Sequence, residues 1–205
     1  MARGRRSDHT PEQLRELIVA EGSRIVATDG IAALTAREIS RRIGYSATTV
    51  LSAMGGPDSI ITAVNTRTFD LWVRELEKAL ERDPGDRIAT LVNAYFDFAA
   101  RNPQLWIAIY EHKLPVGHEV PEDQTIARGK LTAIVNTEVA QALGKEFEET
   151  RELTASLVYT VHGHCHMWIT GSSDLMGIRD VRACALERVR EALNASEINA
   201  SSASA

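Results

Sequence analysis

Residues Leu34 to Met54, LTAREISRRIGYSATTVLSAM, constrain this chain more than any other stretch. The pattern predicts two short helices broken by a tight turn. Thr35 followed by Glu38 fits the capping box, in which each side chain satisfies a free backbone N–H of the first turn. Ile39 and Ile43, four apart, give the first helix one apolar face and leave Arg37, Arg41 and Arg42 on the others. Gly44 offers the left-handed conformation that ends a helix, and Ser46 is a good N-cap for the next. The second helix is expected to bury Val50, Leu51 and Met54, leaving Ala47, Thr48 and Ser52 as a small polar face able to approach base edges. That is a helix-turn-helix pattern, which points to double-stranded DNA.

The net charge of −5 has the wrong sign for a DNA binder, but its distribution suits one. Residues 1–56 hold eight arginines (Arg3, Arg5, Arg6, Arg15, Arg24, Arg37, Arg41, Arg42) against six acidic residues, or +2. The other 149 residues therefore carry −7. A basic N-terminal unit on an acidic body fits DNA facing one end only. No apolar run approaches the roughly 18 to 20 residues of a membrane span. The basic start MARGRRSDHT lacks an apolar stretch after it, so no secretory signal is expected. Cys165 and Cys184 lack CxxC spacing, which suggests reduced thiols in a cytoplasmic protein.

Helical periodicity continues along the chain. Thr10-Pro11-Glu12-Gln13 is a complete helix start, and Leu14, Leu17, Ile18 and Ile25 follow as an apolar stripe up to Gly30. Pro57 and Asp58 open a long helix that runs to Asp83-Pro84-Gly85. Further helices carry Ile88 to Phe96 and Leu105 to Tyr110. A loop is expected over 112–121, and more helices over about 121–143, 147–170 and 177–194. No segment alternates strictly enough for a strand. The expectation is an all-α protein of about nine helices: a flexible basic arm (1–9), a three-helix DNA-binding domain (10–56), a helical effector-binding and dimerisation domain (57–194) and a disordered tail (195–205).

Over residues 10–65 the chain resembles the TetR family of one-component bacterial transcriptional regulators. The likeness rests on Asp29-Gly30, Leu34-Thr35, Glu38-Ile39-Ser40, Gly44-Tyr45-Ser46 and the helix after Gly56. Tyr159, His162 and Gly163 are similar to the W-x-x-H-G motif of one group of TetR C-terminal domains. The resemblance implies an N-terminal DNA-binding domain and a variable helical domain that binds a small molecule and forms a homodimer. It also implies a repressor released from a palindromic operator by its ligand, with no cofactor and no enzymatic activity. The family usually writes its recognition helix as G-V-S-x-G-T-L-Y-x-H-F-x-x-K-E. Here Tyr45 stands for the Val, Thr48 for the Gly, Leu51 for the Tyr, Ala53 for the His, Met54 for the Phe and Pro57 for the Lys. Leu51 and Pro57 thus remove two phosphate contacts of the family.

The candidate DNA-binding residues are Thr35, Arg37, Arg41, Arg42, Tyr45, Ser46, Ala47, Thr48, Thr49 and Ser52. The candidate ligand-binding residues are Phe96, Trp106, Tyr110, Tyr159, His162 and His166, arranged around an apolar cavity beside His162. His162 and His166 stand four apart on one helix, a spacing that can share a metal, with His164 and Cys165 between them and His112 and His118 in the loop. The run H-G-H-C-H lacks the glutamate of H-E-x-x-H, and no metal site is expected. A metal-responsive sensor built on His162 and His166, and a helical dimer that has lost operator binding, are the alternative functions.

Overall fold

The computed structural model describes residues 9–112 and 120–203. Those residues form nine α-helices, three short 3-10 helices and no strand. Residues 1–8 of the basic arm, with Arg3, Arg5 and Arg6, and most of the 112–121 loop, with His118, lie outside the described residues. The chain divides into two compact units. The first runs to Leu71 and includes Asn102–Arg128, and the second holds Trp72–Arg101 and the residues from Gly129 onward. The division thus falls inside a helix.

The first unit holds α1 (Pro11–Asp29), α2 (Ala36–Ile43), α3 (Ala47–Met54), the first half of α4 (Pro57–Arg82) and α6 (Pro103–Glu111). Thr10 caps α1 through a reciprocal pair with Gln13, at 3.2 Å and 2.8 Å. Pro11 occupies a first-turn position whose missing N–H costs nothing. The buried stripe of α1 is Ile18, Gly22, Ile25 and Val26. It packs on Leu34, Ile39, Val50, Ile60, Val64, Leu105 and Ala108 in one core. Gly22 matters because a Cβ there would lie 2.9 Å from Val64 Cγ2 and 3.2 Å from Leu34 Cδ1. Only a residue without a side chain lets α1 come this close to α4.

α6 belongs to this unit, since Leu105 and Ala108, three apart, face its core. Asn65 of α4 donates to the Ala108 carbonyl at 3.3 Å. Arg67 of α4 pairs with Glu16 of α1.

The second unit holds the rest of α4, α5 (Arg87–Arg101), most of α7 (Glu122–Leu143), α8 (Arg151–Ile169) and α9 (Val181–Ala203). Leu76, Ala79, Leu80, Leu91 and Ala94 form a core against Ile88, Leu131, Ile134 and Val135. Trp72 stacks on Phe98 with 4.6 Å between ring centroids and meets Tyr95 edge-on at 4.9 Å. Two polar clamps tie α7 into this unit. Arg87 pairs with the buried Glu138. Asn136 donates to the Phe147 carbonyl at 2.7 Å and accepts from Thr150 and Thr154 at 3.0 Å and 2.7 Å.

α9 runs as one helix to Ala203. No Gly or Pro interrupts Val181–Ala203, and its alanines are strong helix formers. Ser196 returns its hydroxyl to the Ala192 carbonyl at 2.9 Å, so it does not compete with the helix. No described helix is long and apolar enough to cross a membrane.

Candidate functional site

α2, Gly44 and α3 form the helix-turn-helix. Thr35 accepts from the Glu38 N–H at 3.1 Å and Ser46 from the Thr49 N–H at 3.0 Å, so both helices start on side-chain caps. Gly44 takes φ 77°, the left-handed region in which a side chain would be strained. The Glu38 half of the capping box does not form. Its carboxylate turns to Arg41, at 2.9 Å and 2.6 Å, and to Arg42, at 2.7 Å. Charge-assisted bonds of this kind are stronger than a bond to a neutral N–H, so the arginines win. They hold the Glu38 pKa at about 2.

Arg42 also reaches Glu21 at 3.3 Å and Asp29 at 2.9 Å, both on α1. Three carboxylates therefore neutralise it, and it pins α2 to α1. Arg41 keeps 68% of its side chain exposed, and exposed Arg37 makes no ion pair among the described residues. These two carry the cationic character of the outer face. The polar groups of α3 on that face are exposed Thr48 and Ser52, with Ala47 half-buried beside them. Ser46 and Thr49 hydroxyls bond each other at 2.8 Å at the helix start.

Leu51 departs from its expected burial, being 36% exposed. Val50 and Met54, four apart, point to the core together with Ala53, and Leu51 is rotated about 100° from Val50 onto the outer face. Arg15 and His9, neither of them among the candidate DNA-binding residues, complete this region. Arg15 donates from Nε to the Ala53 carbonyl at 2.8 Å, closing the C-terminal end of α3 with a cation. The Tyr45 hydroxyl bonds His9 Nδ1 at 2.8 Å. Neither contact could be read from spacing, because each spans more than thirty residues.

In the second unit, two small adjoining cavities of about 50 and 60 Å³ share Leu91, Tyr95, Val135 and Val158. The first extends to Val189 of α9 and the second to Trp72 and Leu76 of α4. Tyr95 is the residue that links them to His162, since its hydroxyl meets His162 Nδ1 at 2.9 Å. Burial, and then the neighbouring His166, push the His162 pKa down and so favour the neutral ring.

The other expected ligand residues lie elsewhere. Tyr159 is 74% exposed and its ring stands in solvent. Trp106 and Tyr110 pair with each other at 5.2 Å within the first unit. Phe96 is buried against Trp168 and beneath the Arg182 guanidinium. His166 is exposed, 6.0 Å from His162 between ring centroids. Tyr95 stands in the apolar stripe of α5 as its one aromatic residue with a hydroxyl.

Among the described residues no three His, Cys, Asp or Glu side chains converge on a point that could hold a metal ion. His164 donates to the Thr160 carbonyl at 2.8 Å. Cys165 is fully buried, which pushes its thiol up to about 12.

A capped helix-turn-helix in one unit and a helical bundle in the other define the architecture of a helix-turn-helix transcriptional regulator. The sequence pattern described as "Tetracyclin repressor-like, C-terminal domain" matches residues 88–192, just over half of the chain, and the chain belongs to this TetR family. The HTH-type transcriptional regulator Rv1816 of Mycobacterium tuberculosis is 25% identical over 126 residues, which is 60% of this chain and 53% of that protein. The chain thus spans about half the length of the curated relatives it matches. A Rhodococcus protein of unknown function has the same fold with TM-score 0.68 and 20% identity, covering 94% of this chain and 98% of its own. The fatty acid degradation regulator FadR of Bacillus halodurans matches with TM-score 0.61 at 11% identity, over 87% of this chain and 97% of its own.

Proposed function

We propose that this chain is a DNA-binding transcriptional regulator, a cytoplasmic homodimeric repressor that a small-molecule ligand releases from a near-palindromic operator. The observation that carries the reading is the outer face of α2 and α3, where Arg37, Arg41, Thr48 and Ser52 are exposed around two capped helices. Arg37 and Arg41 meet phosphates, while Thr48, Ser52 and Leu51 face base edges, Leu51 offering an apolar contact to a thymine methyl. Thr35, Tyr45, Ser46, Ala47 and Thr49 shape the turn and the helix start, and Arg42 holds the two-helix geometry rather than the DNA.

Dimerisation draws support from α8 and α9. Tyr159 and Met167 are exposed on α8, and Gly163 lies between them with open space around its Cα. Such a face lets a second α8 approach closely, and exposed Ile198 extends the apolar surface along α9. A two-fold dimer then presents two α3 helices to successive major grooves, about one turn of DNA apart or slightly more. The Tyr95–His162 pair beside the cavities supports a ligand site in the second unit.

Selection from random DNA with the purified chain tests the reading. A near-palindromic sequence is the expected product, and Thr48→Glu should abolish binding to it by placing a carboxylate among phosphates and base edges. The log of the binding constant should fall with log salt at about −0.9 per neutralised phosphate, with a shallow total because Leu51 and Pro57 contribute none. Recovery of no preferred sequence by a folded dimer overturns the assignment.

A further inference from the structure

We propose that the ligand of the second unit is a slender, uncharged, mainly aliphatic molecule with one hydroxyl or carbonyl group, read by the Tyr95 hydroxyl. This inference rests on the reading of that unit as the effector-binding one. It follows from what the walls of the two cavities contain. Among the described residues lining them there is no charged side chain. A carboxylate or ammonium ion bound there would lose its hydration and meet no opposite charge, so charged ligands are strongly disfavoured. His162 does not change this, because burial and His166 both disfavour its cationic form.

Shape narrows the class further. Apart from Trp72, Tyr95 and Thr132, the walls are Val, Leu and Ile from α4, α5, α7, α8 and α9, and most of these side chains are β-branched and stiff at χ1. Cavities of about 50 and 60 Å³ are well below the roughly 300 Å³ of an ordinary drug-sized site. They reach in two directions from shared walls at Leu91, Tyr95, Val135 and Val158, which suits a chain better than a plate. Trp72, the largest aromatic group of the lining, is stacked on Phe98 with the rings only 2° from parallel, so that face is closed to a planar ligand. The polar side-chain groups carried by the lining residues are the hydroxyls of Tyr95 and Thr132 and the indole N–H of Trp72. A phenol can donate one hydrogen bond and accept others, so Tyr95 can accept from a ligand hydroxyl while it holds His162, and can donate to a ligand carbonyl when the His162 Nδ1–H donates to it.

The full chain titrated calorimetrically with hexanol and octanol, and in parallel with hexanoate and octanoate, tests the proposal. Octanol should bind at least tenfold more tightly than octanoate. Val158→Trp fills the wall common to both cavities and should abolish octanol binding. Val158→Met, a milder filling, should weaken it with an unchanged helical circular dichroism signal, which guards against a variant that does not fold. Tyr95→Phe should weaken octanol several-fold. Octanoate binding as well as octanol overturns the proposal, as does absence of binding by either, or octanol binding that survives both Val158 variants. Octanol that binds in the cavity yet leaves the operator complex intact supports the ligand class and overturns the effector reading instead.

Discussion

Gly22→Ala tests the packing of the first unit most sharply, because two opposing effects meet at one methyl group. In a helix interior alanine is better than glycine by about 1 kcal/mol. At this position the new Cβ would lie 2.9 Å from Val64 Cγ2 and 3.2 Å from Leu34 Cδ1. Val64 is fully buried, and a β-branched side chain in a helix has one strongly preferred rotamer, so it cannot simply swing aside. Overpacking of this kind typically costs about 1–3 kcal/mol. The net expectation is a loss of about 1 kcal/mol, where propensity alone would give a gain of the same size. Val64→Ala by itself should cost about 2 kcal/mol through lost burial and the space left behind. In that background the space is there to be used, so adding Gly22→Ala should stabilise by about 1 kcal/mol. The coupling between the two sites is then about 2 kcal/mol, within the range seen for residues in contact. Urea unfolding of the four proteins, followed by far-UV circular dichroism at one protein concentration, reads all of these values. A Gly22→Ala variant more stable than the parent refutes the close approach of α1 and α4.

The remaining expectations concern single groups. Glu38 has a pKa of about 2 in the folded chain against an ordinary 4.5, so its ion pairs stabilise fully above about 4.5 and lose their effect as pH falls toward 2. Glu38→Gln should accordingly be less stable than the parent at neutral pH, with the gap in urea midpoint closing across that window. Burial of Cys165 predicts that a thiol reagent labels only half-buried Cys184 in the folded protein and both cysteines after denaturation, and that Cys184→Ser is unreactive until unfolded. Asn136→Ala removes three hydrogen bonds and leaves the buried Thr154 hydroxyl without its acceptor, which should cost about 2–3 kcal/mol in urea unfolding.

Features that depend on neighbours three or four residues away were legible in the sequence. The Thr10, Thr35 and Ser46 caps, the Gly44 turn and the all-helical character are of this kind, because a cap or an apolar stripe is closed by groups one turn along. The tertiary structure decided whatever is settled by competition between distant groups. Glu38 had a backbone N–H within reach, but Arg41 and Arg42 offered charge, and Arg42 in turn found Glu21 and Asp29 on α1. Leu51 reads as a core residue in a list of apolar side chains, and only the rotation of α3 about Val50 turned it outward. Trp106 and Tyr110 carry the periodicity of any buried helix, so nothing local says which core α6 joins; Leu105 and Ala108 seat it in the first unit. The pairing of Tyr95 with His162 spans 67 residues, and only the packing of α5 on α8 brings that hydroxyl and that imidazole together beside the cavities. Periodicity records which face of a helix is apolar, but the partner for that face depends on shapes and distances that no short window of sequence contains.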